Sequence, residues 1–192
     1  GTLVKAGTFA LTNTSGNISV NVGSGSNRGL IVGIVDRAGT ANMGGGNDPT
    51  SVTYNGDSLN LAKKQSHSSG EYVHTWIYYL ENPDSGTNNL VVTFSVDHAQ
   101  WYVYALPVTG LHQTASLDQT SGAEGDGSNI SASVTPTEGY ELVVAVTLSE
   151  YLNALTESGG ITADNNDHGA FVSSFGYIIQ GATPSEKAMT WT

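Results

Sequence analysis

Leu30-Ile31-Val32-Gly33-Ile34-Val35 and Leu142-Val143-Val144-Ala145-Val146 are continuous apolar runs. They read as central β-strands covered on both faces, because a strand with one wet face would alternate instead. Asn17-Ile18-Ser19-Val20-Asn21-Val22 does alternate, with its apolar side chains on one face and its polar ones on the other. Outward from these, residues 51–54, 73–80, 89–95, 101–108, 130–134, 169–180 and 188–192 are rich in Val, Ile, Thr and aromatics, and Gly/Asn/Asp/Ser clusters separate them. Helix signals are confined to Ser149–Glu157, where Ser149 can cap a turn or two. The expected fold is all-β: a single antiparallel β-sandwich, jelly-roll-like, with about ten strands and at most one short helix.

Two turns carry their own chemistry. Asn55-Gly56 lies between Ser51-Val52-Thr53-Tyr54 and Asp57-Ser58-Leu59-Asn60-Leu61, and a two-residue type I′ hairpin favours Asn-Gly because both residues take positive φ. Pro83-Asp84-Ser85-Gly86 presets one φ and relaxes another, which joins the strand containing Trp76 to Leu90-Val91-Val92-Thr93-Phe94.

Composition narrows the function classes. The chain has 192 residues, enough for one domain to bury a core without a covalent staple. It contains no cysteine, which excludes disulfide scaffolds, zinc–thiolate sites and thiol catalysis. Gly, Ser, Thr and Asn make up 81 of the 192 residues, while charged residues are 12%. With 6 Lys+Arg against 17 Asp+Glu the net charge is −11, so there is no basic footprint for nucleic acid or anionic lipid. No apolar run approaches the ~18 residues of a membrane-spanning helix, and no membrane insertion is expected. A charge-poor, cysteine-free chain that begins at Gly1 rather than Met suits an exported, extracellular protein.

Four stretches resemble a known kind of module when taken in succession. They are Asn27–Ile34, Ser51–Leu59, the run Thr75 to Phe94 with its Asn82-Pro83-Asp84-Ser85-Gly86-Thr87 turn, and Ala105-Leu106-Pro107-Val108-Thr109-Gly110. Together they look like a jelly-roll β-sandwich module of microbial secreted, surface and phage structural proteins. The resemblance covers residues 17–192 and implies a fold and an extracellular, cell-surface or virion-surface location, with no catalytic residues. It further implies one apolar strand beyond Ala188–Thr192, whereas residues 1–16 form an extra N-terminal strand or extension containing Leu3-Val4-Lys5-Ala6-Gly7-Thr8-Phe9-Ala10-Leu11.

A search for chemistry yields candidates of unequal weight. There is no nucleophile elbow, and His67, His74, His98, His112 and His168 lack zinc-enzyme spacing, so no catalytic residues are expected. Calcium favours hard oxygens on loops, and Asp164-Asn165-Asn166-Asp167 qualifies by composition, with Asp164 and Asp167 as its ligands; the competing reading is a plain polar turn. No other cofactor is implied. Trp76, Tyr78, Trp101 and Tyr102 are candidate ligand or interface aromatics, since alternation sends part of each cluster outward, where rings stack on a glycan or pack against neighbours. Asn13, Asn17 and Asn129 match the Asn-x-Ser/Thr glycosylation pattern.

The expected function follows from the ends of the matching region. A sandwich one strand short at one end and one strand long at the other is completed by a neighbour's strand, as in donor-strand complementation, and copies so joined propagate head to tail. Leu3, Phe9 and Leu11 fall on one face of the donor strand and form its interface. The chain is therefore expected to be a non-catalytic filament or pilus-like subunit whose principal partner is itself; the alternative is a carbohydrate-binding or adhesion module, or a virion decoration domain.

Overall fold

A computed structural model of the chain describes residues 8–9, 14–37, 48–67, 73–98, 100–114, 116–125, 129–150, 157–158, 162–168 and 171–192. Its fifteen strands are β1 (Thr8–Phe9), β2 (Ser15–Val22), β3 (Arg28–Arg37), β4 (Pro49–Tyr54), β5 (Asp57–Ser58), β6 (Asn60–His67), β7 (Val73–Glu81), β8 (Gly86–Phe94), β9 (Gln100–Thr109), β10 (Ile130–Val134), β11 (Leu142–Ser149), β12 (Glu157–Ser158), β13 (Thr162–Asp167), β14 (Val172–Ile179) and β15 (Lys187–Trp191). Every pairing is antiparallel. No helix occurs among the described residues.

The strands form four sheets. Sheet I has the order β2-β8-β4-β5, sheet II β1-β9-β3-β7-β6, sheet III β11-β14-β13 and sheet IV β10-β15-β12. Three apolar clusters fix how they stack. Val20, Val22, Val52, Tyr54, Leu90 and Val92 of sheet I meet one face of sheet II. The other face of sheet II, with Ile31, Val35, Tyr104 and Leu106, meets Leu148, Phe171 and Phe175 beside and within sheet III. Val143 and Val172 on the far face of sheet III meet Met189 and Trp191 of sheet IV. The protein is thus a stack in the order I, II, III, IV, with sheets II and III inside.

This layering explains the two continuous apolar runs. β3 lies in the middle of sheet II and is buried along nearly its whole length, its even-numbered residues in one core and its odd-numbered ones in the next. β2 lies at the edge of the outer sheet I, and its alternation is that of a strand with one solvated face. At Gly33 the sheets approach so closely that a Cβ would lie 2.5 Å from Phe175 Cδ2. Asn55-Gly56 makes the expected hairpin, with φ of 51° and 94°, and Thr53 pairs with Ser58 across it. The Pro83–Gly86 turn carries the chain from β7 in sheet II to β8 in sheet I.

The antiparallel sandwich is as expected, but its strand count exceeds ten for identifiable reasons. β6 reads Asn-Leu-Ala-Lys-Lys-Gln-Ser-His and β13 reads Thr-Ala-Asp-Asn-Asn-Asp, and neither carries an apolar alternation. Both are held by their neighbours, β6 by pairing with β7 and β13 by six pairs with β14. Of the expected helix at 149–157, Ser149 ends β11 and Glu157 starts β12, while 151–156 lie outside the described residues.

Candidate assembly site

Three features of the stack stand out as functional candidates: an open cleft beside β11, the short ladder of β1, and two buried polar clusters.

The cleft has a volume of 1090 Å³. Its floor is the sheet III-facing side of β6 and β7, with Lys63, Gln65, Val73, Thr75 and Ile77; its roof is sheet IV, with Ile130, Val134 and Met189. One wall is β11, whose residues Leu142–Ser149 all line it, and the opposite wall is the extended segment Ser116–Gly125. That segment is anchored by Ser116 Oγ donating to Glu81 Oε1 at 2.5 Å, and by Asp118 accepting from the Thr137 amide and hydroxyl, both at 2.7 Å. β11 pairs with β14 on one side, and among the described residues Leu142–Leu148 have no strand on the other. Leu142, Val144 and Val146 are only partly buried, as are Val73 and Ile77 beneath them. Continuous apolar edges of this kind are normally covered, because they expose both backbone hydrogen-bonding groups and side chains.

β1 sits at the opposite edge of sheet II. Thr8 pairs with Tyr102 and Phe9 with Trp101, so the N-terminal segment touches its own sheet through two described residue pairs. Leu3 and Leu11 lie outside the described residues. Phe9 is in register with Trp101, Asp36, His74 and Ser66 in one row across all five strands of sheet II.

That row contains the first polar cluster. His98 Nδ1 is 2.7 Å from Asp36 Oδ2, and both side chains are fully buried. His98 Nε2 and Asp36 Oδ1 have no hydrogen-bond partner among the described residues. Burial raises the Asp36 pKa, opposed by the hydrogen bond and charge of His98. Phe94 packs on His98 with ring centroids 4.0 Å apart. His74 bonds Ser66 Oγ through Nδ1 at 2.9 Å, and burial, reinforced by the positive charge of Lys64, pushes its pKa down to about 4. Trp76 Nε1 donates to Asp48 Oδ1 at 3.0 Å, and Lys64 Nζ lies 2.5 Å from the same atom. These groups close the end of the core between sheets I and II. Sequence reasoning could not find them, because Asp36 and His98 are far apart in the chain and meet only through the fold.

The second cluster joins sheets II and III. Ser173 Oγ is 2.6 Å from Tyr104 Oη and 2.8 Å from His168 Nε2, while Asn166 Nδ2 donates to Tyr104 Oη at 3.2 Å. The His168 ring stacks on Tyr102 at 3.4 Å between centroids. A serine this close to a histidine has the spacing of a nucleophile and its base. Ser173, however, is 0% exposed and is engaged from both sides, so what the pair does is tie the two inner sheets together.

The remaining candidate residues fall as follows. Trp76 and Trp101 are 0% exposed and Tyr78 and Tyr102 under 10%, so none offers a ring face to a sugar. Trp76, Tyr78 and Trp101 face the core under sheet I and Tyr102 the core under sheet III, so a neighbouring sheet covers them on either side of sheet II. Burial also pushes the Tyr78 hydroxyl pKa up to about 12. Asp164 and Asp167 fall within β13, a strand paired with β14, rather than in a turn. Among the described residues no three His, Asp or Glu side chains form a group that could hold a metal ion. Asn17 and Asn129 are exposed, and Asn13 lies outside the described residues. Nothing matches this chain among protein-family models, curated proteins or solved structures.

Proposed function

We propose that the chain is a non-catalytic extracellular structural protein, a subunit of a surface filament whose copies join head to tail when the N-terminal strand of one adds to a sheet of the next. The observation that supports this reading most is β1, a strand held at a sheet edge by two described pairs, Thr8 to Tyr102 and Phe9 to Trp101. A segment paired at a sheet edge can leave it for the sheet of another copy, as in strand swapping between identical copies. The polar, charge-poor composition fits an exported fibre subunit. With the four candidate aromatics buried, the glycan-binding alternative has no platform among them.

The test is the size of the purified chain across a concentration series, by sedimentation and electron microscopy. Ladders or fibres are expected, and deletion of residues 1–12 should abolish them. A stable monomer of 19.9 kDa at high concentration would overturn the reading in favour of a single-copy binding module or virion decoration domain.

A further inference from the structure

We infer that the strand position beside β11 is the acceptor, and that its occupant is residues 1–12 of a second copy of this chain. The inference rests on the strand-donation reading above and adds where the donated strand goes. Among the described residues, Leu142–Leu148 of β11 offer seven residues for pairing. A strand laid along β11 becomes a fourth strand of sheet III, with sheet II as its floor and sheet IV as its roof. Such a strand must be apolar on both faces, as β11 itself is.

Residues 3–11 meet that requirement. Leu3, Phe9 and Leu11 fall on one face and Val4, Ala6 and Ala10 on the other. The nine residues match the eight of β11 in length. One face then covers the partly buried Val73 and Ile77, and the other meets Ile130, Val134 and Met189. The segment's only charge is Lys5, and the cleft is lined by Asp118, Glu124, Glu138, Glu141 and Glu150 against Lys63 and Lys187. A cationic donor entering an acidic cleft is the complementary arrangement; Lys5 shares the face of Leu3, Phe9 and Leu11, so its apolar stem lies along the cleft while its ammonium extends to an acid of the rim.

Cysteine pairing between two differently tagged copies tests the assignment, because the chain has no cysteine of its own. One copy carries Val4→Cys, Ala6→Cys, Thr8→Cys or Ala10→Cys in turn, so that one of the four falls opposite Ala145 in any register that turns Leu3, Phe9 and Leu11 toward sheet II and the even-numbered face toward sheet IV. The other carries Ala145→Cys on β11 or, as the comparison, Ala105→Cys on β9. Assembled protein should form disulfides between copies to residue 145 for at least one donor position, and few or none to residue 105. Assembly with crosslinks to residue 105, or to neither, overturns the β11 site while leaving strand donation standing. Failure of the unsubstituted chain to assemble overturns both. Each cysteine variant is first checked for an unchanged melting curve, and Ser149→Cys replaces Ala145→Cys if the latter does not fold.

Discussion

The two cores on either side of sheet II are built from the same strands and differ in how well they are closed. Toward sheet I, sixteen side chains are buried and only Ile18 and Leu80 among the packed apolar residues are partly exposed. Toward sheet III, eight are buried and seven, including Val73, Ile77, Val144 and Val146, are partly exposed. The difference is one of coverage. Among the described residues, sheet I lies over one face of sheet II, whereas sheet III has three strands over a five-stranded sheet and ends at β11, with β6 and part of β7 left beneath the cleft. A finished core and an unfinished one thus share one sheet, and the unfinished one is where a further strand contributes most.

The comparison is broken most readily by truncation. Trp76→Ala, in the closed core, should cost about 3–5 kcal/mol in chemical denaturation. Ile77→Ala, the next residue but on the open side, should cost less, about 1–3 kcal/mol in the monomer, since part of its surface is already wet. Equal losses would mean the second core is as closed as the first. Where sheets II and III do touch, at Gly33, the close approach to Phe175 predicts that Gly33→Ala destabilises by about 1–3 kcal/mol through overpacking, measured the same way.

The closed core should also respond to acid. His74 is held neutral, with a pKa of about 4 against 6.5 in the unfolded chain. Between those values the unfolded state binds more protons, so stability is fully present above pH 6.5 and declines as pH falls toward 4. Thermal melts from pH 7 to pH 4 should show this decline, and His74→Gln should flatten it. A decline unchanged in the variant would overturn the assignment to His74. The smallest effect concerns calcium. A calcium ion held by Asp164 and Asp167 should make chelator lower the melting temperature and Asp167→Ala remove that sensitivity, and a curve unchanged in chelator would leave β13 a plain strand.

The sequence carried the inner strands better than the outer pairings. Residues 30–35 and 142–146 announce double-sided burial through continuous apolar side chains, and that is what β3 has between two cores. For β11 the same run is only half satisfied, which makes it the place where pattern and structure disagree within the described chain. β6 and β13 were illegible because their residues are polar and their strand state comes from pairing with β7 and β14, a tertiary effect that local propensity does not encode. The four aromatics were placed on the right strands, but their burial depends on sheets contributed by distant segments. Phe9 alone of the donor-face residues is described, and its pairing with Trp101 places its backbone one strand removed from the buried Asp36, with β9 between them.

The central claim is that β11 is an open edge waiting for a strand, and backbone hydrogen exchange reads it directly. In the monomer, alternate amides between Leu142 and Leu148, those directed away from β14, should exchange rapidly while their neighbours bonded to β14 are protected. On assembly, or on adding a peptide of residues 1–12 to the chain lacking them, the fast set should become protected along the length of β11. Protection of every β11 amide in the monomer, or no change on assembly, would contradict the account.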